Sequence, residues 1–477
     1  MKQLSVDVVV IGSGPGGQKA AIQAAKLGKE VLIIEKWSNP GGACLNTGTI
    51  PSKTLREAIL DLTGFHQRSF YGKENEEAEI SISDLNYRLD KVLEQQRRVI
   101  SRQFRKNNIR FVVGSAFFVS PNEIGVVNKE ENQEYRIKAD KIFISTGSKP
   151  RNPINVPFDK QVILDSTRLL RIEKVPKEMI VLGGGIIGSE YASFFAALGT
   201  EVTVVDKKEH MLPLLDSEIG IHLQTDLADI GLKFLGNAEP ESISREGDRA
   251  IVKLKDGRVV EGDVLLYALG RVANVDFLEI DKAGLALNEW GFLGVNEWFQ
   301  TEVPHIYGIG DVIGPPALAS TSMEQGRLAA RHALGEEVHV FPTFFPVGIY
   351  TIPEISTCGL TEDQLQKEET PYEVGRAYYY EIARGHISGS KSGMFKILFH
   401  RETLEILGVH IIGRGATEVI HIGQVAMSFK ASIGYFIDQV FNYPTFAEGY
   451  RVAALNGFNK LKDSPSSKNL GAVYGDH

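Results

Sequence analysis

One pattern occurs twice in the chain, at an offset of 171 residues, and it constrains the fold more than any other feature. Residues 8–36 read VVVIGSGPGGQKAAIQAAKLGKEVLIIEK, and residues 179–207 read MIVLGGGIIGSEYASFFAALGTEVTVVDK. In both copies an apolar run leads into three glycines, a stretch rich in small residues follows, and a second apolar run ends in an acid. This pattern predicts two strand–helix–strand units.

The glycine spacing in each copy is typical of a dinucleotide site. Three glycines correspond between the copies: Gly12, Gly14 and Gly17 in the first, and Gly183, Gly185 and Gly188 in the second. The first glycine permits a tight turn, the second lets a pyrophosphate approach the backbone, and the third allows a helix to pack closely on a strand. The terminal acids, Glu35 and Asp206, are spaced to accept hydrogen bonds from a ribose. We therefore expect two bound dinucleotides.

Composition excludes several classes of protein. A chain of 477 residues is too long for one core and predicts about three domains. A net charge of −8 argues against a nucleic-acid partner, and no apolar run approaches the ~18 residues of a membrane span. Two cysteines fit a reducing compartment, and the short apolar run at 8–11 predicts a strand rather than a signal segment, so we expect a cytoplasmic protein. No HExxH or paired CxxC motif occurs, so we expect no metal site.

Further motifs resemble, in the same order, those of the pyridine nucleotide-disulfide oxidoreductase family. They are GGACLNTGTIPSK at 41–53, ISTGSKP at 144–150, ALGRVAN at 268–274, TEVPHIYGIGDV at 301–312 and TIPEISTCGLTEDQL at 351–365. The resemblance implies FAD at the first copy, NAD or NADP as substrates at the second, and association of chains through the C-terminal region. It also assigns Gly147, Gly270 and Asp311 to cofactor binding, with Asp311 on the ribityl chain of FAD.

The resemblance implies an α/β fold with two Rossmann-like dinucleotide-binding domains, for FAD and for NAD(P), and a C-terminal α+β dimerisation domain. The expected domains are a first FAD-binding segment at 1–149, an NAD(P)-binding domain at 150–274, a second FAD-binding segment at 275–340 and a dimerisation domain at 341–477. We expect the polar tail after Leu461 to be disordered.

Local patterns predict three further elements. Residues 84–106 form a helix whose buried stripe we expect to contain Leu85, Leu89, Val92, Gln96, Val99 and Gln103. The basic residues near the end of that helix are interpreted as a solvated face. Two apolar runs around a polar segment in residues 395–412 predict a hairpin. An apolar helix is expected to start near Ala416.

Both ends of the family's disulfide relay are missing from this sequence. Cys44 matches the first cysteine of the redox pair, but Thr49 occupies the second position, and a threonine hydroxyl neither ionises near neutral pH nor forms a disulfide. In NYPTFAEGYRVAALNG (442–457), Tyr443 stands where the resemblance places an acid–base histidine, although Glu448 is retained. Cys358, the other cysteine, is interpreted as a structural thiol. The sequence therefore argues against a disulfide reductase.

The residues for transfer between nicotinamide and flavin are retained. Lys53 and Glu190 match a lysine and a glutamate that pair beside the reactive edge of the flavin in this family. The resemblance makes them the catalytic residues, because a held ammonium stabilises negative charge that develops on the ring.

Residues 39–58 and 441–461 closely resemble the flavin-dependent pyridine nucleotide transhydrogenases of the family. This resemblance implies ping-pong hydride exchange between NADPH and NAD⁺ through FAD, in a homodimer or higher homo-oligomer. Two alternatives stay open: an NAD(P)H:quinone or dye reductase, which predicts an open apolar pocket at the far face of the flavin, and a non-catalytic nucleotide-binding subunit. Asp206 favours the free 2′-hydroxyl of NAD, whereas Lys207 and Lys208 are either surface lysines or partners for the 2′-phosphate of NADP.

Overall fold

A computed structural model describes residues 1–65, 80–342, 344–390 and 392–462. Lys462, the first residue of the tail predicted to be disordered, ends a helix, and the rest of that tail lies outside these ranges. Within them, no helix combines the length and apolar character needed to cross a bilayer.

The first region builds a mixed sheet around the first glycine-rich copy. Its elements are β1 Lys2–Ile11, α1 Pro15–Lys26, β2 Val31–Glu35, α2 Gly42–Asn46, α3 Thr49–Leu62, α4 Ile82–Lys106, β3 Arg110–Val113, β4 Ser115–Ser120, β5 Glu123–Asn128, β6 Gln133–Ile144 and β7 Ser148–Pro150. The sheet order is β3-β2-β1-β6-β5-β4, with β1 parallel to β2 and β6. The apolar run at the N-terminus is therefore a central strand, as predicted.

The second region repeats this plan. Its elements are β8 Ile163–Asp165, α5 Ser166–Leu169, β9 Glu178–Leu182, α6 Ile186–Ala197, β10 Glu201–Val205, α7 Ser217–Asp229, β11 Lys233–Leu235, β12 Pro240–Glu246, β13 Arg249–Leu254, β14 Val259–Gly262, β15 Val264–Tyr267 and β16 Arg271–Ala273. The parallel sheet has the order β11-β10-β9-β15-β8, and β12-β13-β14 form a small antiparallel sheet. The chain leaves and re-enters the first region through β7 and β16, which pair with each other.

The chain then returns to the first sheet. A 3₁₀ turn at Ile280–Ala283 is followed by β17 Ile306–Gly308, a 3₁₀ turn at Gly310–Ile313 and helix α8 Ala319–Ala333. Strand β17 pairs in parallel with β6. Helix α8 packs on α1 so closely that a Cβ on Gly326 would lie 2.2 Å from the carbonyl oxygen of Gly16. The returning segment therefore completes the first nucleotide unit.

The C-terminal region is an antiparallel sheet covered by helices. Its elements are β18 Val347–Ile349, β19 Ile355–Gly359, α9 Glu362–Lys367, β20 Tyr372–Tyr378, a 3₁₀ turn at Tyr379–Glu381, α10 Ala383–Ile387, β21 Met394–His400, β22 Ile406–Ile412, α11 Ala416–Ser428, α12 Gly434–Asp438 and α13 Glu448–Lys462. The sheet order is β18-β19-β22-β21-β20. The predicted hairpin is the β21–β22 pair, and the predicted helix starts at Ala416, so both predictions are confirmed.

These regions confirm the expected α/β fold with an α+β C-terminal part. The predicted boundary at 149/150 falls inside β7, which pairs with β16 rather than with either nucleotide sheet. The domain limits otherwise stay a prediction.

The predicted stripe of α4 is wrong over its second half. The helix buries Leu85, Leu93, Ile100 and Phe104, whereas Val99 is 49% exposed. At about 100° per residue, the predicted positions all stay within about 40° of Leu85, whereas Leu93, Ile100 and Phe104 lie about 60–100° further round the helix. The buried face differs from the predicted stripe because of the elements that the helix packs against, and not because of its period.

Candidate active site

The two glycine-rich turns share one backbone geometry. Gly12 and Gly183 have φ angles of 102° and 106°, a region that favours glycine. A Cβ on Gly17 would lie 2.1 Å from the carbonyl oxygen of Gly12, and a Cβ on Gly188 would lie 1.9 Å from that of Gly183. The first and third glycines are thus required by the turn and by the packing of helix on strand.

The middle glycine of each turn leaves space beside a helix N-terminus. A Cβ on Gly14 or on Gly185 would meet no protein atom within 4 Å. Each of these glycines is the N-cap of its helix, and no side chain caps it. Unpaired backbone N–H groups that point into open space form a site for an anion such as a pyrophosphate.

The acid at the end of each second strand binds the turn directly. Glu35 Oε2 accepts hydrogen bonds from the backbone nitrogen and the hydroxyl of Ser13 at 3.0 and 2.6 Å. Asp206 Oδ2 accepts one from the backbone nitrogen of Gly184 at 2.6 Å. Sequence reasoning identified both acids but missed this bond to the second residue of the turn. Each carboxylate is consequently fixed at the edge of the turn.

Two adjoining cavities form a groove along the first unit, with volumes of about 230 and 790 Å³. The residues that line both are Gly42, Ala43, Thr47, Ser145, Thr146, Ser148 and Arg271. The smaller cavity extends to Glu35 and Trp37, and the larger one contains Gly14, Lys53 and Asp311. A groove of this size and extent suits a long ligand such as a dinucleotide.

Groups in the groove fit the predicted FAD. The hydroxyl of Thr146 is buried, and in the described part of the chain it has no hydrogen-bond partner. Gly147 has a φ of 68°, and a Cβ on it would meet no atom within 4 Å. A buried polar group without a partner beside open backbone is what a bound polar ligand satisfies.

Asp311 reaches the same groove from the returning segment. Its Oδ2 accepts a hydrogen bond from Ser148 Oγ at 2.7 Å, and Ser148 Oγ in turn accepts one from Arg271 Nε at 2.7 Å. Arg271 follows Gly270, whose φ is 102°, and burial lowers the pKa of the guanidinium. Sequence reasoning missed Ser148 and Arg271, although both lie in motifs that it quoted.

Lys53 and Glu190 meet in the larger cavity. Lys53 Nζ donates to both carboxylate oxygens of Glu190, at 2.8 and 2.7 Å. Glu190 lies in α6 of the second region and its side chain is 5% exposed, whereas that of Lys53 is 24% exposed. The tertiary structure therefore joins a cation from the first region to an acid 137 residues later.

Tyr350 completes this pair and was missed from the sequence. Its backbone nitrogen donates to Glu190 Oε1 at 2.9 Å, and Lys53 Nζ lies 4.9 Å from the centre of its ring. The sequence signal was its position directly before the quoted TIPE motif.

Cys44 lines the larger cavity. Both cysteines of the chain are free. Burial raises the pKa of Cys44, against the hydrogen bond with Thr49 and the charge of Lys53, which lower it. Burial raises the pKa of Cys358 to about 11, in line with a structural thiol. In the described ranges, no three His, Cys, Asp or Glu residues are grouped as metal ligands would be.

Tyr443 and Glu448 lie apart from the groove. Tyr443 is 67% exposed and is not among the residues that line either cavity. Glu448 begins α13, and its buried Oε2 has no hydrogen-bond partner among the residues described. Within a single chain, therefore, neither Tyr443 nor Glu448 lines the cavity that contains Lys53.

Lys207 and Lys208 are exposed after β10. The backbone nitrogen of Lys208 donates to Asp206 Oδ1 at 2.8 Å. Their side chains face solvent next to the second turn, which leaves both interpretations of the lysines open.

Comparison with known protein families gives two matches that together span most of the chain. The family described as pyridine nucleotide-disulphide oxidoreductase matches residues 6–326. The dimerisation domain of that same family matches residues 345–454.

Curated relatives are similar over nearly the full length. A soluble pyridine nucleotide transhydrogenase from Mycobacterium tuberculosis (strain ATCC 25177 / H37Ra) is 46% identical over 457 residues, which cover 96% of this chain and 98% of that protein. A protein of the same name from Photorhabdus laumondii is 43% identical over 466 residues, covering 97% and 100%.

Solved structures show the same architecture. LpdA from Mycobacterium tuberculosis superimposes with a TM-score of 0.86 at 26% identity, covering 95% of this chain and 99% of that one. The HOCl-induced flavoprotein disulfide reductase RclA from Escherichia coli gives a TM-score of 0.85 at 27% identity, covering 94% and 99%.

Proposed function

Because the chain belongs to the pyridine nucleotide-disulphide oxidoreductase family, we propose that it catalyses reversible hydride transfer between NADPH and NAD⁺ with FAD as its cofactor. The chain is an oxidoreductase, and its family and its relatives imply FAD together with NAD(P) as substrates. One observation carries the proposal: the Lys53–Glu190 pair is assembled in the groove, whereas the cysteine pair beside it is replaced by Cys44 and Thr49.

The first unit supplies the groups that would hold FAD. The N-terminus of α1 and the space at Gly14 would take the pyrophosphate, and Glu35 would take the ribose of the adenosine. Asp311 and the unpartnered Thr146 hydroxyl would bind polar groups further along the groove. When bound, FAD supplies a carrier that takes a hydride from one nicotinamide and returns it to another.

Lys53 supplies positive charge at the reacting end of the groove. Glu190 holds the ammonium in place and lies in the first two turns of α6. Since α6 starts at the glycine turn that would bind NAD(P), the same helix would help to position both the nicotinamide and the lysine. A preorganised cation stabilises negative charge where it develops without any rearrangement of solvent.

The same site lacks the groups that disulfide reduction needs. Thr49 cannot share a disulfide with Cys44, and the raised pKa of the Cys44 thiol keeps it from acting as a thiolate at neutral pH. A hydride that enters this site would therefore have no route out through sulfur, and the proposal assigns a second nicotinamide as its acceptor.

A quinone is the second candidate oxidant, on one observation. The larger cavity is also lined by Phe341, Phe345 and Ile420, which gives it an apolar wall of the kind that a quinone reductase requires.

The dimerisation domain supports self-association, and we propose a homodimer that works in the cytoplasm. Exposed apolar side chains at Phe429 and Val440, 82% and 91% exposed, would be covered by a second chain. Light scattering that gives the mass of a single chain would contradict the dimer.

The activity is tested by mixing the flavin-loaded protein anaerobically with NADPH and then with NAD⁺. We expect flavin absorbance to fall, to recover on addition of NAD⁺, and to be matched by new NADH. A reductive titration should stop at about two electrons per chain, with no thiolate-to-flavin charge-transfer band. A titration to about four electrons, or reduction of lipoamide, would contradict the proposal. Quinones that greatly outcompete NAD⁺ would favour the second candidate.

A further inference from the structure

Three parts of the chain meet at the Lys53 ammonium. Lys53 comes from α3, Glu190 from α6, and Tyr350 from the segment that follows β18. This segment binds α6 through two backbone groups: Tyr350 N donates to Glu190 Oε1 at 2.9 Å, and Ile352 N donates to Ser193 Oγ at 3.1 Å. Arg56 Nε of α3 also donates to the carbonyl oxygen of Thr351 at 3.2 Å. The segment is therefore bound to the same helix that carries the partner of Lys53.

The Tyr350 ring covers one side of the ammonium. Lys53 Nζ lies 4.9 Å from the ring centre, within the range of a cation–π contact, while Glu190 binds it through both carboxylate oxygens. The ring packs beside β18, where a Cβ on Gly348 would lie 3.3 Å from Cε2 of Tyr350. Tyr350 also lines the larger cavity.

This arrangement restricts a side chain that is otherwise free to move. A lysine has four rotatable side-chain bonds, and Glu190 alone fixes only the far end of Lys53. The Tyr350 ring and the Glu190 carboxylate together contact the ammonium and so reduce its freedom beside the groove. The contribution of the ring is greatest where water is excluded, and the side chain of Lys53 is 24% exposed.

We propose that Tyr350 is a positioning residue that sets the Lys53 ammonium for hydride transfer, through the face of its ring and not through its phenol. The inference rests on the proposed function, because it takes Lys53 to act beside the flavin. It adds a residue of the C-terminal region to the Lys53–Glu190 pair, whose two members come from the two nucleotide units.

The experiment compares Tyr350→Leu with Tyr350→Phe, which keeps the ring and loses only the phenol. We expect Tyr350→Leu to slow flavin reduction by NADPH about tenfold in stopped-flow mixing, with the Kd for NADPH within about twofold of wild type. The midpoint potential of the bound FAD should become more negative. In protein stripped of FAD, labelling of Lys53 by acetic anhydride should become faster. Tyr350→Phe should match wild type in all four measurements.

Fluorinated phenylalanines at position 350 provide a second test that keeps the shape of the ring, so that folding is preserved. Stepwise removal of electron density from the ring should raise the labelling rate of Lys53 stepwise. Wild-type labelling and reduction rates in Tyr350→Leu, or equal losses in Tyr350→Leu and Tyr350→Phe, would overturn the inference. These measurements involve no NAD⁺, so a wild-type enzyme that fails to reduce NAD⁺ would contradict the proposed function alone.

Discussion

The first and second nucleotide units build the same turn and place it in different surroundings. In both, the opening glycine has a positive φ and the terminal acid accepts a hydrogen bond from the second residue of the turn. A side chain at the start of each helix also binds that second residue: Gln18 donates to the carbonyl of Ser13, and Ser189 donates to that of Gly184. The local chemistry of the two units is thus nearly identical.

The difference lies in what covers each turn. A Cβ on Gly42 would lie 2.8 Å from the α-carbon of Gly14, and the segment around Asp311 and helix α8 closes the groove from the other side. The described residues give the second turn no comparable returning segment, and its helix instead carries Glu190 toward Lys53. The comparison indicates that the glycine turn is built locally in the same way in both units, whereas the neighbouring chain sets what surrounds it.

The largest expected effect tests the residue that links the two units. Lys53→Ala should slow flavin reduction by NADPH and by NADH about 10²- to 10³-fold, because a preorganised charge at the reacting end is lost. FAD content should not change. Lys26→Ala, an exposed lysine at the end of α1, serves as the matched control. Stopped-flow rates equal to those of wild type would remove Lys53 from the mechanism.

Substituting the third glycine of each turn should affect FAD binding in the first unit and reduction by nicotinamides in the second. Gly17→Ala places a Cβ 2.1 Å from a backbone carbonyl and should destabilise the first unit by about 1–3 kcal/mol, with loss of FAD. Gly188→Ala should keep FAD and lose reduction by nicotinamides. Gly14→Ala controls for folding, since its Cβ meets no atom and should weaken only FAD binding. The measurements are FAD content and thermal unfolding, and FAD loss from Gly188→Ala would contradict the assignment of the units.

Substitutions of Asp311 and Asp206 should likewise affect FAD and nicotinamide binding separately, with smaller effects. Asp311→Ala removes a charge-assisted hydrogen bond and should weaken FAD retention by ~1.5–3 kcal/mol. Asp206→Ala should leave FAD retention unchanged and alter only nicotinamide binding. Dialysis followed by absorbance of the bound flavin measures both, and full FAD occupancy in Asp311→Ala would argue against its assigned role.

A weaker effect is expected at the exposed end of the second unit. Replacing Lys207 and Lys208 together with alanine should raise KM for NADPH a few-fold more than KM for NADH, because only NADPH carries a 2′-phosphate. Steady-state kinetics with both donors would decide the question, and equal effects would place these lysines on the solvated surface.

The smallest effect is expected at the residue without a counterpart in the second unit. Cys44→Ser should keep transhydrogenation within about twofold of wild type, because the raised pKa of the thiol leaves it protonated at neutral pH. The rate of Cys44 alkylation by iodoacetamide should rise only at pH values above those at which an ordinary thiol ionises. Fast alkylation near pH 7, or a large loss of activity in the serine variant, would return the site to sulfur chemistry.

Much of the fold was predictable because it depends on local patterns. The glycine-rich turns, the β21–β22 hairpin and the start of α11 at Ala416 follow from glycine placement and the period of apolar residues. The buried face of α4 could not be predicted in this way, because the neighbouring elements determine which side of the helix is covered.

The sequence by itself determined which chemical groups this protein has and lacks. Threonine at position 49 removes the disulfide, and two glycine-rich turns predict two dinucleotide sites, because both inferences depend on residue identity alone. Only the tertiary structure decided which groups meet: Lys53, Glu190 and Tyr350 lie far apart in the chain, and Ser148 and Arg271 reach Asp311 from separate segments. The physical reason is that such contacts depend on the packing of whole regions, which no local pattern encodes.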